Sequence, residues 1–202
     1  MKLNVIVNKK TRILAAVFFI HILAIIVFEL IVSHCNIDVA KSKQHNDLNN
    51  PLKLLFSAVV FAPVIEEIIF RYGLVKSKYF YWGTIFSVVF ILVTNFSDYF
   101  KGAIIILNVL SFGFFCFSDR KVVPQMVLIA SVFVFTLIHI SNYDSVALNG
   151  LPVYALVLQF FPQVLAGIIL TGIRLYSRRF LSVIVYHGLY NLVFFGLALL
   201  QV

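Results

Sequence analysis

The chain has 202 residues, of which 62% are hydrophobic and 12% charged, with a formal net charge of +8 and a mean hydropathy of +1.03. Soluble domains run at ~45–50% apolar and ~25% charged residues, and a core of this size cannot hide so much apolar surface, so a water-soluble globule is excluded and an integral membrane protein is expected. The basic residues stand in short gaps between apolar runs, as in cytoplasmic loops rather than on a nucleic-acid-binding face, and two cysteines, Cys35 and Cys116, make neither a disulfide framework nor a CxxC pair.

A membrane span needs roughly 20 apolar residues. Seven candidates follow in chain order: 13–32, 54–75, 79–96, 103–118, 123–140, 152–174 and 180–201. The first is preceded by Lys9-Lys10-Thr11-Arg12 and imitates a secretory signal. Its apolar run, Ile13 to Val32, is too long for an h-region and no small-x-small cleavage site follows, so it is read as an uncleaved span. The link 33–53 is polar and suits a surface loop or a short interfacial helix. No strand pattern is visible. The expected fold is all-α: a polytopic transmembrane helix bundle of about seven spans, forming one integral-membrane domain over residues 1–202.

Basic residues orient these spans. Lys2, Lys9, Lys10, Arg12, Lys76, Lys78, Arg120, Lys121, Arg174, Arg178 and Arg179 fall on one side, and only Lys41, Lys43, Lys53 and Lys101 on the other. Cytoplasmic loops carry the excess of Lys and Arg, so the N-terminus is expected in the cytoplasm and the C-terminus outside.

The second span contains APVIEEIIFRYG, residues 62–73, which sets Glu66, Glu67 and Arg71 in an apolar run. A charged side chain near the centre of a membrane helix costs on the order of 2.5–3.5 kcal/mol. Glu67 and Arg71 are four apart, share a helix face and can neutralise each other. Glu66 points about 100° away and is left over. Pro63 removes a backbone donor just before it and either kinks the span or marks a true helix start. An ion-pair network that stitches helices together accounts for Glu67 and Arg71, but poorly for Glu66.

Two later spans carry matching polar groups. The fifth ends Phe135-Thr136-Leu137-Ile138-His139, and the seventh contains His187-Gly188-Leu189-Tyr190-Asn191, with His187 and Asn191 on one face. His21 in the first span reads as a hydrogen-bonded packing residue, and Glu29 carries no assigned role. Polar clusters on three spans can converge inside a bundle. A carboxylate and an imidazole there can deprotonate a water, while a second His and an Asn offer donors to an oxyanion. Amide hydrolysis inside a membrane follows. The same Glu66, His139 and His187 also make up a two-His-one-carboxylate set of the kind that holds a catalytic zinc. No Ser or Cys nucleophile stands in a telling context.

Taken in order, Glu66-Glu67-x-x-x-Arg71, Phe135-x-x-x-His139 and His187-x-x-x-Asn191 resemble the three signature motifs of the CPBP family, the CAAX proteases and bacteriocin-processing enzymes also called Abi. The stretch Phe161-Pro162-Gln163 to Gly167 and Arg174 is similar to bacterial members. The resemblance covers about residues 60–195, within a core of about 54–201. It implies Glu66 as the catalytic carboxylate, His139 as its partner in activating water, His187 and Asn191 at the oxyanion, and Glu67 and Arg71 in support. It also implies a membrane-associated or lipidated peptide or protein as substrate, with no nucleic-acid partner. Both a metalloprotease and a metal-free, glutamate-dependent mechanism are described for the family. Motifs one and two usually sit on consecutive helices, whereas two spans separate them here; parity still brings the start of span 2 and the end of span 5 to one membrane face. The basic-residue count sets that face outside, although a CAAX-type substrate comes from the cytoplasm. The alternatives are a non-catalytic member acting in bacteriocin immunity or as a scaffold, and an ion-coupled transporter, for which the inverted repeats are missing.

Overall fold

The computed structural model describes residues 2–37, 39–40, 51–75, 125–140, 142–143 and 145–199, together with scattered helical positions at 82, 85, 86, 89, 102, 106 and 110. The expected spans 79–96 and 103–118 therefore lie almost wholly outside the described residues, as does most of the polar link 33–53. The chain divides into two compact units, Met1–Val39 and Ala40–Val202.

The first unit is one helix, α1 (Lys2–His34), which contains the apolar stretch Lys9–His34. At ~1.5 Å per residue a 26-residue stretch is long enough for a ~30 Å hydrocarbon layer with some tilt. Its end is closed by Asn36 at φ 49°, with Asn36 N–H donating to Ser33 O and Ile37 N–H to Val32 O, both at 3.1 Å. This paired closure satisfies two of the last carbonyls, and asparagine is among the few residues that tolerate the left-handed turn it needs.

The second unit opens with a helical rod from Pro51 to Leu74. It comprises α2 (Pro51–Phe56), a π-helical turn (Ser57–Phe61), α3 (Ala62–Arg71) and a 3₁₀ turn (Tyr72–Leu74). The rod covers the expected span 54–75, and Pro63 sits in the first turn of α3. There follow α4 (Gln125–Ile140), a short α5 (Ser145–Asn149), α6 (Val153–Ser177) and α7 (Phe180–Leu199). Their bounds match the fifth, sixth and seventh expected spans within a few residues; α5 was not foreseen. No strand occurs among the described residues. Besides α1, the described helices long and apolar enough to cross a membrane are Val153–Ser177 and Phe180–Leu197, with α4 a shorter apolar helix.

Packing explains which residues face inward. On α4 the buried positions include Val127, Ser131, Val134 and Phe135, one face at helical spacing. That face lies on α6, where Gly167 brings the backbones close: a methyl added there would stand 3.2 Å from both Phe135 Cδ1 and Val132 Cγ1. Ser131 Oγ donates to Phe70 O at 2.8 Å and fastens α4 to α3. Arg174 donates from Nε to Arg71 O at 3.1 Å and from Nη2 to Tyr72 O at 3.2 Å, capping the end of α3 with a cation where the helix dipole favours one. Arg174 is buried inside α6, so it does not belong among the loop cations counted above, because its guanidinium is committed to two carbonyls.

The distribution of polarity is inverted relative to a soluble protein. Glu67, Arg71, Arg174 and His187 are buried, while Ile129, Phe133, Val157, Ile168 and Leu181 are exposed. Water cannot cover that outer face favourably, whereas acyl chains can.

Candidate active site

Three elements supply the charged and imidazole side chains. α3 carries Glu66, Glu67 and Arg71; α4 brings His139 from its last turn; α7 brings His187 from its first half.

Glu67 and Arg71 make the buried ion pair that their spacing implies, with Arg71 Nη1 donating to Glu67 Oε1 at 2.6 Å and both side chains fully covered. Two further contacts hold the pair. The Arg71 guanidinium lies 4.3 Å above the Phe135 ring, a favourable place for a cation excluded from water. The same Glu67 oxygen accepts a hydrogen bond from His187 Nδ1 at 2.8 Å. Both charge-assisted bonds fall on Oε1, while Glu67 Oε2 has no hydrogen-bond partner among the described residues. Glu67 is thus a structural anchor for both Arg71 and His187.

Glu66 projects from a different side of α3, and its environment is unlike that of Glu67. Its Oε2 lies 3.9 Å from His139 Nε2 and 3.7 Å from His187 Nε2. These separations are too long for direct hydrogen bonds. The Glu66 and His139 side chains remain 23% and 19% exposed, whereas His187 is 4% exposed and the Glu66 Oε2 atom itself is buried.

The hydrogen bonds on the far side of each ring determine what the near side offers. His139 Nδ1 lies 2.7 Å from Phe135 O, and His187 Nδ1 faces the Glu67 carboxylate. Both partners are acceptors, so the network assigns the hydrogen of each neutral ring to Nδ1 and leaves the lone pair on Nε2. Two imidazole lone pairs and a carboxylate oxygen then face one small space, and Glu66 Oε2 has no hydrogen-bond partner among the described residues. Such a space calls for a hydrogen donor or a cation. A water, with two hydrogens to give, is the simplest group that satisfies it.

Zinc is the other group these donor types suit. Imidazoles fixed through Nδ1 by a carboxylate or a backbone carbonyl are the usual outer shell of metal-binding histidines. No group of three or more His, Cys, Asp or Glu side chains is drawn together closely enough to hold a metal ion among the described residues. Glu66, His139 and His187 thus have the chemistry of a zinc site without its closed spacing.

Asn191 lies one turn beyond His187 on the same helix, but its amide is directed elsewhere: Nδ2 donates to Ala58 O in the π-helical turn at 2.7 Å. An amide carries two N–H groups, so one is left for any other acceptor. Sequence reasoning assigned no role to Phe135 beyond its motif, nor any to Ser131. Phe135 is the centre of the aromatic packing, with ring centroids 5.7 Å from Phe70, 4.6 Å from His139 and 6.0 Å from His187. Its four-residue spacing from His139 was the signal available, since that spacing places its carbonyl under the imidazole.

A family model described as type II CAAX prenyl endopeptidase Rce1-like matches residues 48–193, more than two thirds of the chain and all three motifs. No curated protein and no solved structure gives a match.

Proposed function

We propose a mechanism from one premise: the chain belongs to the type II CAAX prenyl endopeptidase Rce1-like family. Membership supports a CAAX-type protease working in the membrane and implies a prenylated peptide or protein as substrate.

Glu66 and His139 hold a water between Oε2 and Nε2 and take its proton as its oxygen attacks the scissile carbonyl. His187 takes a second proton on Nε2, opposite the Nδ1–H that Glu67 holds, and in that form donates to the oxyanion. The proton taken from water passes to the leaving amide nitrogen, the C–N bond breaks, and an amine and a carboxylic acid depart, the acid then losing its proton to solvent. General-base assistance contributes typically 10²–10⁴-fold, and each oxyanion donor about 10²–10³-fold. Glu67 fixes the orientation of His187, and Arg71 holds Glu67 in place. Asn191, the oxyanion partner that the family resemblance implies, has one amide hydrogen engaged by Ala58 O and a second left for another acceptor.

The observation that carries this reading is the approach of two imidazole Nε2 atoms to one carboxylate oxygen, all within 4 Å, in a bundle whose outer surface is apolar. The test uses purified protein in lipid vesicles with a prenylated CAAX peptide. Glu66→Ala and His139→Ala should each abolish cleavage while the protein remains expressed and inserted. Full activity in either variant would remove the assigned roles.

The Nδ1 hydrogen bonds of both histidines favour a second reading in which Glu66, His139 and His187 close around zinc. When bound, the ion would lower the pKa of its water and polarise the carbonyl. The basic-residue bias, less Arg174, still assigns the N-terminus to the cytoplasmic side of a cell-membrane protein in this account.

A further inference from the structure

From the backbone of the 57–63 segment we infer that Asn191 is a positioning residue, which closes a gap in the helix that Pro63 creates and thereby sets Glu66 and Glu67 at the right height for the histidines. The inference deepens the proposed mechanism and, for its activity arm only, rests on it.

The helix changes register just before Pro63. In the π-helical turn each N–H reaches back five residues, and Ala62 N–H donates to Ser57 O in this way. The next bond in that register would run from residue 63 to Ala58 O. Residue 63 is proline and has no N–H to give. Ala58 O is the oxygen that accepts from Asn191 Nδ2 at 2.7 Å. The side-chain amide of α7 therefore supplies the donor that the proline withholds. In lipid no water is at hand to do so, and an unsatisfied backbone carbonyl there costs several kcal/mol.

A second observation, independent of the amide, points to the same contact. Gly188, three residues before Asn191 and on its face of α7, lies against Val59. A methyl at Gly188 would stand 2.6 Å from Val59 O, closer than real contacts allow. Val59 is the residue to which an α-helical bond from position 63 would have run. So α7 covers both carbonyls that Pro63 can leave without a donor, one with an amide and one by close backbone approach. His187 is adjacent in sequence to Gly188 and binds Glu67, four residues beyond Pro63. One face of α7 thus grips the break and the site at once. Any slip of the 57–63 turn would move Glu66 relative to His187.

The test is a double-mutant cycle on the full chain in detergent or lipid. Asn191→Ala should lower the unfolding midpoint by at least about 4 °C, since each kcal/mol is worth about 2–4 °C in a chain of this size. Pro63→Ala restores the backbone N–H, so adding Asn191→Ala to it should lower the midpoint far less. Equal losses in both backgrounds would overturn the inference. Should Pro63→Ala fail to fold, Gly188→Ala takes its place. It should destabilise non-additively with Asn191→Ala, and full additivity would count against a shared contact. In the cleavage assay Asn191→Ala should reduce kcat by several-fold, and Pro63→Ala with Asn191→Ala should recover much of the loss. An oxyanion donor would instead lose about 10²–10³-fold in kcat regardless of residue 63, and that result would refute the positioning role. The stability cycle needs no catalysis. If the wild type cleaves no prenylated peptide but the cycle shows coupling, the proposed function fails and the clamp stands.

Discussion

Glu66 and Glu67 are neighbours in sequence, and the structure predicts opposite consequences for losing each charge. Glu67→Gln removes the counter-charge of a guanidinium that is wholly covered, and weakens the two charge-assisted bonds that Arg71 and His187 make to a single carboxylate oxygen. Breaking a buried pair by removing one partner costs about 3–5 kcal/mol, a large share of the ~5–15 kcal/mol that stabilises a typical domain. The fraction of Glu67→Gln protein recovered folded should fall sharply, with its unfolding midpoint lowered by at least several degrees. Glu66→Gln loses no direct hydrogen bond, since its Oε2 has none, and its side chain is 23% exposed. Its stability should stay within about 0.5 kcal/mol of wild type, while hydrolysis falls by about 10²–10⁴-fold with the loss of the base. The assay pairs thermal unfolding with cleavage of a prenylated CAAX peptide in vesicles. A stable Glu67→Gln, or a Glu66→Gln that cleaves at the wild-type rate, would refute the division of labour between the two carboxylates.

Other expectations follow from single contacts. His139→Ala should leave α4 intact but abolish cleavage, read as loss of kcat in folded protein. Ser131→Ala removes the hydroxyl that donates to Phe70 O at 2.8 Å and should cost about 0.5–1.5 kcal/mol in thermal or denaturant unfolding. Gly167→Val drives a side chain into Phe135, already 3.2 Å from where the first added carbon would sit. Overpacking of this kind costs about 1–3 kcal/mol, and because Phe135 supports Arg71 and His139, cleavage should fall with stability. A chelator should leave activity unchanged if Glu66 and His139 activate water alone; loss restored by zinc would favour the metal reading.

Much of the described architecture is legible in the sequence because apolar runs record the lipid environment directly. The boundaries of α4, α6 and α7 fall within a few residues of the apolar runs that announce them. The Glu67–Arg71 pair follows from four-residue spacing alone. Glu66 stood out as the charge that pairing could not explain, and its Oε2 faces both histidine Nε2 atoms without a hydrogen-bond partner among the described residues. The π-helical turn was not legible, because hydropathy cannot distinguish a five-residue from a four-residue register. Pro63 did carry the necessary hint, since a proline inside a span implies an orphan carbonyl and hence a donor elsewhere. Which of its two oxygens receives each donor to Glu67, and where the second amide group of the motif goes, depend on helix rotation and height. Spacing within one helix gives neither. Arg174 was misread as a loop cation because it ends an apolar run; its burial follows from the carbonyls that end α3.

The most direct measurement is hydrolysis of a prenylated CAAX peptide by purified protein in vesicles prepared in ¹⁸O-labelled water. Wild type should release the C-terminal fragment and leave one labelled oxygen in the new carboxylate, while equally folded Glu66→Gln protein should release it at least about 10²-fold more slowly. Cleavage by Glu66→Gln at the wild-type rate, or no cleavage by folded wild type, would contradict the account.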